Sequence, residues 1–254
     1  MRFLRLPMRD PRTVARDIPG VCDILFPRLL PGLVGLLNRK SQAFAGIEPI
    51  SPQDMRCIKT NAAMLFEIAF ARAEQTLSHS PVNIEDCIQL AINRQSKYFD
   101  AKIPSQLTDT ELAIIDKTSD NLARSLHMLA NGNEIVTAPQ IFGFDWISNG
   151  VGDFSAGDSL IEVKCTSKGF SSNDYRQLLI YWLLSYASAI EKNTIEWKRG
   201  VLLNPRLNHF VEFDFDELIH LVTGGVSKVE VLELFRSVVS EYSTKLSIDS
   251  FGNY

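Results

Sequence analysis

The stretch GVGDFSAGDSLIEVKCTSK, residues 150–168, decides how this chain is read. Its second half, Leu160-Ile161-Glu162-Val163-Lys164-Cys165, has the apolar texture of a buried strand, yet it carries a carboxylate and an amine. Buried charges of that kind are costly unless they are paired or bound to a metal. Strand alternation puts Ile161, Val163 and Cys165 on one face and Leu160, Glu162, Lys164 and Thr166 on the other. Gly157-Asp158 offers a two-residue turn with glycine at its first central position, as a type II′ hairpin requires. That register sets Asp153 directly opposite Glu162, with Cβ atoms ~4.5–5.5 Å apart, and makes Lys164 the diagonal neighbour of Asp153. Directly opposed like charges destabilise a hairpin. A divalent cation resolves the conflict: Mg²⁺ takes one or two carboxylates and completes its octahedron with water and phosphate oxygens. It also lowers the pKa of a bound water, which Lys164 is placed to orient or help deprotonate. An Asp followed by Glu-x-Lys on the next strand is therefore a sensible arrangement for hydrolysing a phosphodiester.

Glu-x-Lys alone carries no information, since Glu196-Trp197-Lys198 is a second copy in a polar connector with no upstream Asp partner. What distinguishes the first copy is its context. It has an apolar strand, an Asp across a turn, and a following helix that bears Gln177 and Tyr181 one turn apart. On Gly152-Asp153, Leu160-Ile161-Glu162-Val163-Lys164 and Gln177-Leu178-Leu179-Ile180-Tyr181, the region from about residue 134 to about residue 215 resembles the PD-(D/E)XK nuclease superfamily. The resemblance implies an α/β fold: a restriction-endonuclease-like mixed β-sheet flanked by helices. It implies that Asp153 and Glu162 ligate Mg²⁺ (with Mn²⁺ as a substitute), that Lys164 assists the attacking water, and that the helix of Gln177 packs over the site. Asp153, Glu162, Lys164 and Gln177 are then the catalytic set. The substrate it implies is nucleic acid, DNA before RNA, with a homodimer or a partner subunit for double-strand cuts. A component of a bacterial defence or mobile-element system fits by analogy. The alternative is a catalytically silent nucleic-acid-binding or scaffolding subunit. Gly152 stands where the motif name has proline.

Glu67 is a further candidate metal ligand. It is the only charge in Ala62–Ala71, a run so apolar that the helix should be buried and the carboxylate supplied with a cation. That cation is either the metal or an arginine such as Arg72. Glu111 is a rival, but it completes a Thr108-x-x-Glu111 capping box, which explains it locally. Lys168, Arg176 and Tyr181 are candidate substrate contacts; Lys198, Arg199, Arg206, Thr166 and Ser167 lie along the same predicted edge.

The remaining features set bounds. The chain has 254 residues, 45% hydrophobic and 22% charged, which suits one large domain or a core with an appendage. With a net charge of −4, a polyanion must be met by local basic groups, metal or a partner. Cys22, Cys57, Cys87 and Cys165 form no CxxC pair, and the four histidines show no ligand spacing, so a reducing cytoplasm is expected. The basic start MRFLRLPMRDPR lacks the apolar stretch of a secretory signal. The apolar run 22–37 contains Arg28 and two prolines and is too short to span a bilayer, so it reads as core or a docking surface and no membrane is expected. The spacing predicts short helical turns over 1–51 and helices over 51–77, 83–95 and 108–130. Strands follow over 134–146, 151–155 and 160–166, then a helix from 171, strands over 200–204 and 210–215, and two closing helices. A helical region over 1–105 and a nuclease core over 106–254 are the expected division.

Overall fold

The computed structural model describes residues 9–17, 20–96, 106–194 and 196–249, with the side chains of 16–17 and 242–249 excepted. Seven helices come first: α1 (Pro11–Asp17), α2 (Val21–Leu25), α3 (Pro31–Arg39), α4 (Pro52–Arg56), α5 (Ala62–Leu77), α6 (Ile84–Gln95) and α7 (Asp109–Ala130). Strands β1 (Ile135–Thr137), β2 (Gln140–Ile141), β3 (Gly150–Val151), β4 (Phe154–Ala156) and β5 (Ser159–Val163) follow. After α8 (Ser172–Lys192) come β6 (Arg199–Asn204), β7 (His209–Asp214), α9 (Phe215–Thr223) and α10 (Lys228–Asp249). The chain is mixed α/β. Five strands form one sheet in the order β1-β4-β5-β6-β7, and β2 pairs with β3 separately. Within the five-stranded sheet only β5 and β6 run parallel, with α8 as their crossover; the other pairs are antiparallel.

Helices flank both faces of the sheet. Leu160, Leu202 and Val211 pack against α8, α9, α10 and the short N-terminal helices α1–α3. Phe154, Ile161, Val201, Leu203 and Phe210 face α7 and the end of α5. Outside them, α5, α6 and α7 share a further core around Met64, Leu65, Ile68 and Ile115. The apolar run 22–37 divides accordingly: Leu25, Phe26, Leu29, Val34 and Leu37 are buried, while Ile24, Leu30 and Leu36 face out. The boundary expected at 105–106 falls at the edge of residues 97–105, which lie outside the described residues.

Local chemistry accounts for the element ends. Thr108 and Glu111 form the expected capping box on α7, and Asn131, in the left-handed region, ends that helix. Ser171 and Asp174 make a second capping box on α8. Three expectations need correction, one of them being the strand expected over 151–155, which is split between β3 and β4 in different sheets. The helix expected over 51–77 is broken: α4 stops at Arg56, and α5 starts afresh behind Asn61, whose side chain caps it. The backbone between them is held elsewhere, because Lys59 and Thr60 donate their N–H groups to the Glu111 carboxylate. The strand expected over 134–146 is two short strands in different sheets. Ala138 takes a φ of +52°, and Pro139 has no N–H to donate, so the chain leaves the sheet there. Among the described residues, no helix is long and apolar enough to cross a membrane.

Candidate active site

The β4–β5 hairpin has the register expected from its turn. Phe154 pairs with Ile161, Ser155 with Leu160 and Ala156 with Ser159, around Gly157 at a φ of +56°. The ladder ends at Phe154, and Asp153 takes over: its Oδ2 accepts the Val163 N–H at 2.8 Å. Gly152 sits where only glycine fits easily. Its N–H donates to the Pro139 carbonyl at 2.9 Å, and an added Cβ would lie 3.1 Å from the Leu160 side chain. A proline here would forfeit that hydrogen bond and crowd Leu160, which explains the departure from the motif.

Glu162 follows Leu160 on the face covered by α8 and is 2% exposed. Its Oε1 accepts from Lys164 Nζ at 2.8 Å and from Gln177 Nε2 at 2.7 Å. Gln177 Oε1 in turn accepts from Lys164 Nζ at 3.0 Å, closing a three-residue ring. Gln177 Nε2 also reaches the Tyr181 hydroxyl at 3.1 Å. Asp174 lies 4.0 Å from the ammonium. Gln177 and Tyr181 are both buried, because α8 is enclosed almost all round from Tyr175 to Ser188. Against this full set of partners, Glu162 Oε2 stands out: it is buried and, among the described residues, has no hydrogen-bond partner.

The electrostatics follow from this packing. Burial, with Asp153 adding its charge, pushes the Glu162 carboxyl upward. Burial opposes the Lys164 charge, but Glu162 and Asp153 outweigh it and hold the ammonium above its ordinary value. Lys164 is thus held as a cation by its two acidic neighbours.

One member of the site was not legible beforehand. Arg12, from α1, donates from Nη2 to Asp153 Oδ1 at 3.0 Å and from Nε to the Tyr181 hydroxyl at 2.9 Å. Nothing in its local sequence marks it; α1 packing on α8 brings it in.

The other candidates are engaged in contacts of their own. Glu67 is paired with Arg94 at 3.3 Å on α5, and among the described residues no hydrogen bond or ion pair joins it to Asp153, Glu162 or Lys164. Its partner is thus an arginine, though not Arg72, which pairs with Asp116. Arg176 is bound to Asp23. Lys168 is exposed, and its carbonyl accepts from the Thr166 hydroxyl. The Glu196 of the second Glu-x-Lys pairs with Lys228.

Asp153 and Glu162 offer oxygen donors of the kind hard cations take, and among the described residues Glu162 Oε2 has no hydrogen-bond partner. Among the described residues no group of three or more His, Cys, Asp or Glu side chains is placed to hold a metal, so water and substrate would complete any coordination sphere here. No protein-family model, curated protein or solved structure matches the chain.

Proposed function

We propose that this chain is a Mg²⁺-dependent nuclease with a restriction-endonuclease-like core, hydrolysing phosphodiester bonds by in-line attack of water, with DNA as the substrate. The reading is carried by one observation: the Asp153 carboxylate, just before β4, and the Glu162 carboxylate on β5 act on each other and on the Lys164 ammonium, and among the described residues one buried oxygen of Glu162 has no donor. Asp153 and Glu162 would hold the ion, which when bound makes a ligated water more acidic and screens charge on phosphate. Lys164, kept charged by its surroundings, directs its N–H groups at the water or at a phosphate oxygen. Gln177 fixes both partners at once, donating to Glu162 and accepting from Lys164. Tyr181 holds Gln177 from behind. The preference for DNA rests on the family resemblance of the motif alone.

The rival reading, a catalytically silent binding or scaffolding module, draws support from Arg12, which already neutralises Asp153. Plasmid cleavage with Mg²⁺ separates the two. Wild type should cut, and Glu162→Ala and Lys164→Ala should each lose on the order of 10²-fold or more. Equal cutting by all three proteins, or none by wild type, contradicts the nuclease reading.

A further inference from the structure

The four carboxylate oxygens of Asp153 and Glu162 are not equally available. Glu162 Oε1 serves Lys164 and Gln177, and Asp153 Oδ2 serves the Val163 backbone at the end of the β4–β5 ladder. Glu162 Oε2 has no hydrogen-bond partner among the described residues. The fourth, Asp153 Oδ1, is held by Arg12. A cation shared by both carboxylates would take Oε2 and an oxygen of Asp153, and whichever it takes, the Arg12 charge on Oδ1 lies beside it, while the neutral Val163 N–H on Oδ2 is fixed in the backbone of β5. The Arg12 guanidinium is thus the one partner in its way that side-chain rotation alone removes. It is also accessible, with 36% of its side chain exposed against 13% for Asp153. Two cations beside one carboxylate repel, so binding of one disfavours the other.

Resting on the nuclease reading above, we infer that Arg12 is an exchangeable counter-ion for Asp153, which a divalent cation displaces, so that helix α1 sets the metal affinity of the site. Arg12 is here a positioning residue: it keeps Asp153 oriented and neutralised until the ion arrives. The hydroxyl of Tyr181 tethers the guanidinium at Nε, so Arg12 stays beside the site after it lets go of Asp153.

The test is calorimetric titration of Mn²⁺ into the full chain, comparing wild type, Arg12→Gln, Tyr181→Phe and Glu162→Gln. Circular dichroism and melting in EDTA establish that each variant folds. Removing the competing charge should tighten Mn²⁺ binding about two- to fivefold in Arg12→Gln, the value of one partly exposed ion pair. Tyr181→Phe, which loosens the tether without touching the charge, should move affinity the same way by less. It answers the question should Arg12→Gln fail to fold. Unchanged or weaker binding in both variants, while Glu162→Gln loses Mn²⁺, overturns the role of Arg12 and leaves the nuclease reading standing. Absence of Mn²⁺ binding in wild type and Arg12→Gln alike overturns both.

Discussion

Glu111 and Glu162 are both buried glutamates, and the fold treats them in opposite ways. Glu111 is fully enclosed, and both its oxygens are used: Oε1 accepts from the Lys59 and Thr60 N–H groups, Oε2 from the Thr108 N–H and hydroxyl. Burial raises its pKa, but these backbone donors win and pull it down to about 2. Among the described residues Glu162 has donors on one oxygen only, and burial together with Asp153 pushes it up to about 7. A carboxylate that serves as a structural tie is saturated by the chain itself. One left half-saturated, beside a second carboxylate and an ammonium, is the group on which the proposed function rests.

The largest expected consequence concerns the tie. Glu111→Ala removes a helix cap and strands four donors, and should cost about 3–5 kcal/mol in chemical denaturation. A cost below about 1 kcal/mol would mean that the loop between α4 and α5 is held by other contacts.

The pH dependence of the metal-free protein should then separate the two glutamates by sign. Glu111, lowered on folding, contributes stability that is present above the ordinary carboxylate range and lost as pH falls towards 2. Glu162, raised on folding, behaves in reverse: its favourable contribution is present below that range and lost as pH rises through about 7. Glu111→Gln should therefore flatten the acid limb of the stability profile. The stability of Glu162→Gln relative to wild type should climb by roughly 1–2 kcal/mol between pH 5 and pH 8. Denaturation at several pH values decides, and parallel profiles for the two variants would erase the distinction.

A smaller effect is expected from Arg94, which joins Glu67 and Glu74 on α5 at 3.3 and 2.6 Å. The pairs are partly exposed, so Arg94→Ala should cost no more than about 1 kcal/mol and leave Mn²⁺ binding unchanged. Loss of Mn²⁺ binding in that variant would bring Glu67 back as a ligand.

The pairing of β4 with β5 was legible because it depends on four residues of turn chemistry and on strand alternation, both local. The same holds for the cap of α7. Arg12 was not legible: it acts 141 residues away from Asp153, from a seven-residue helix whose position is set by its packing on α8. The break between α4 and α5 escaped for the same reason, since its backbone donors are claimed by a carboxylate more than fifty residues further along the chain. Gln177 and Tyr181 were legible as a pair on one helix face. Their burial was not, because an amphipathic stripe does not reveal that neighbouring helices also cover the opposite side of α8. For Glu67, the sequence correctly demanded a cation, but only tertiary structure could choose between a metal and an arginine.

The central claim is most directly tested by crystals grown with Mn²⁺ and a short DNA duplex, using anomalous scattering to locate the ion. The account predicts a manganese peak bonded to Glu162 Oε2 and to an oxygen of Asp153, with the Arg12 guanidinium turned away from that carboxylate. An intact Arg12–Asp153 pair in well-ordered crystals, with manganese absent or bound elsewhere, would contradict it.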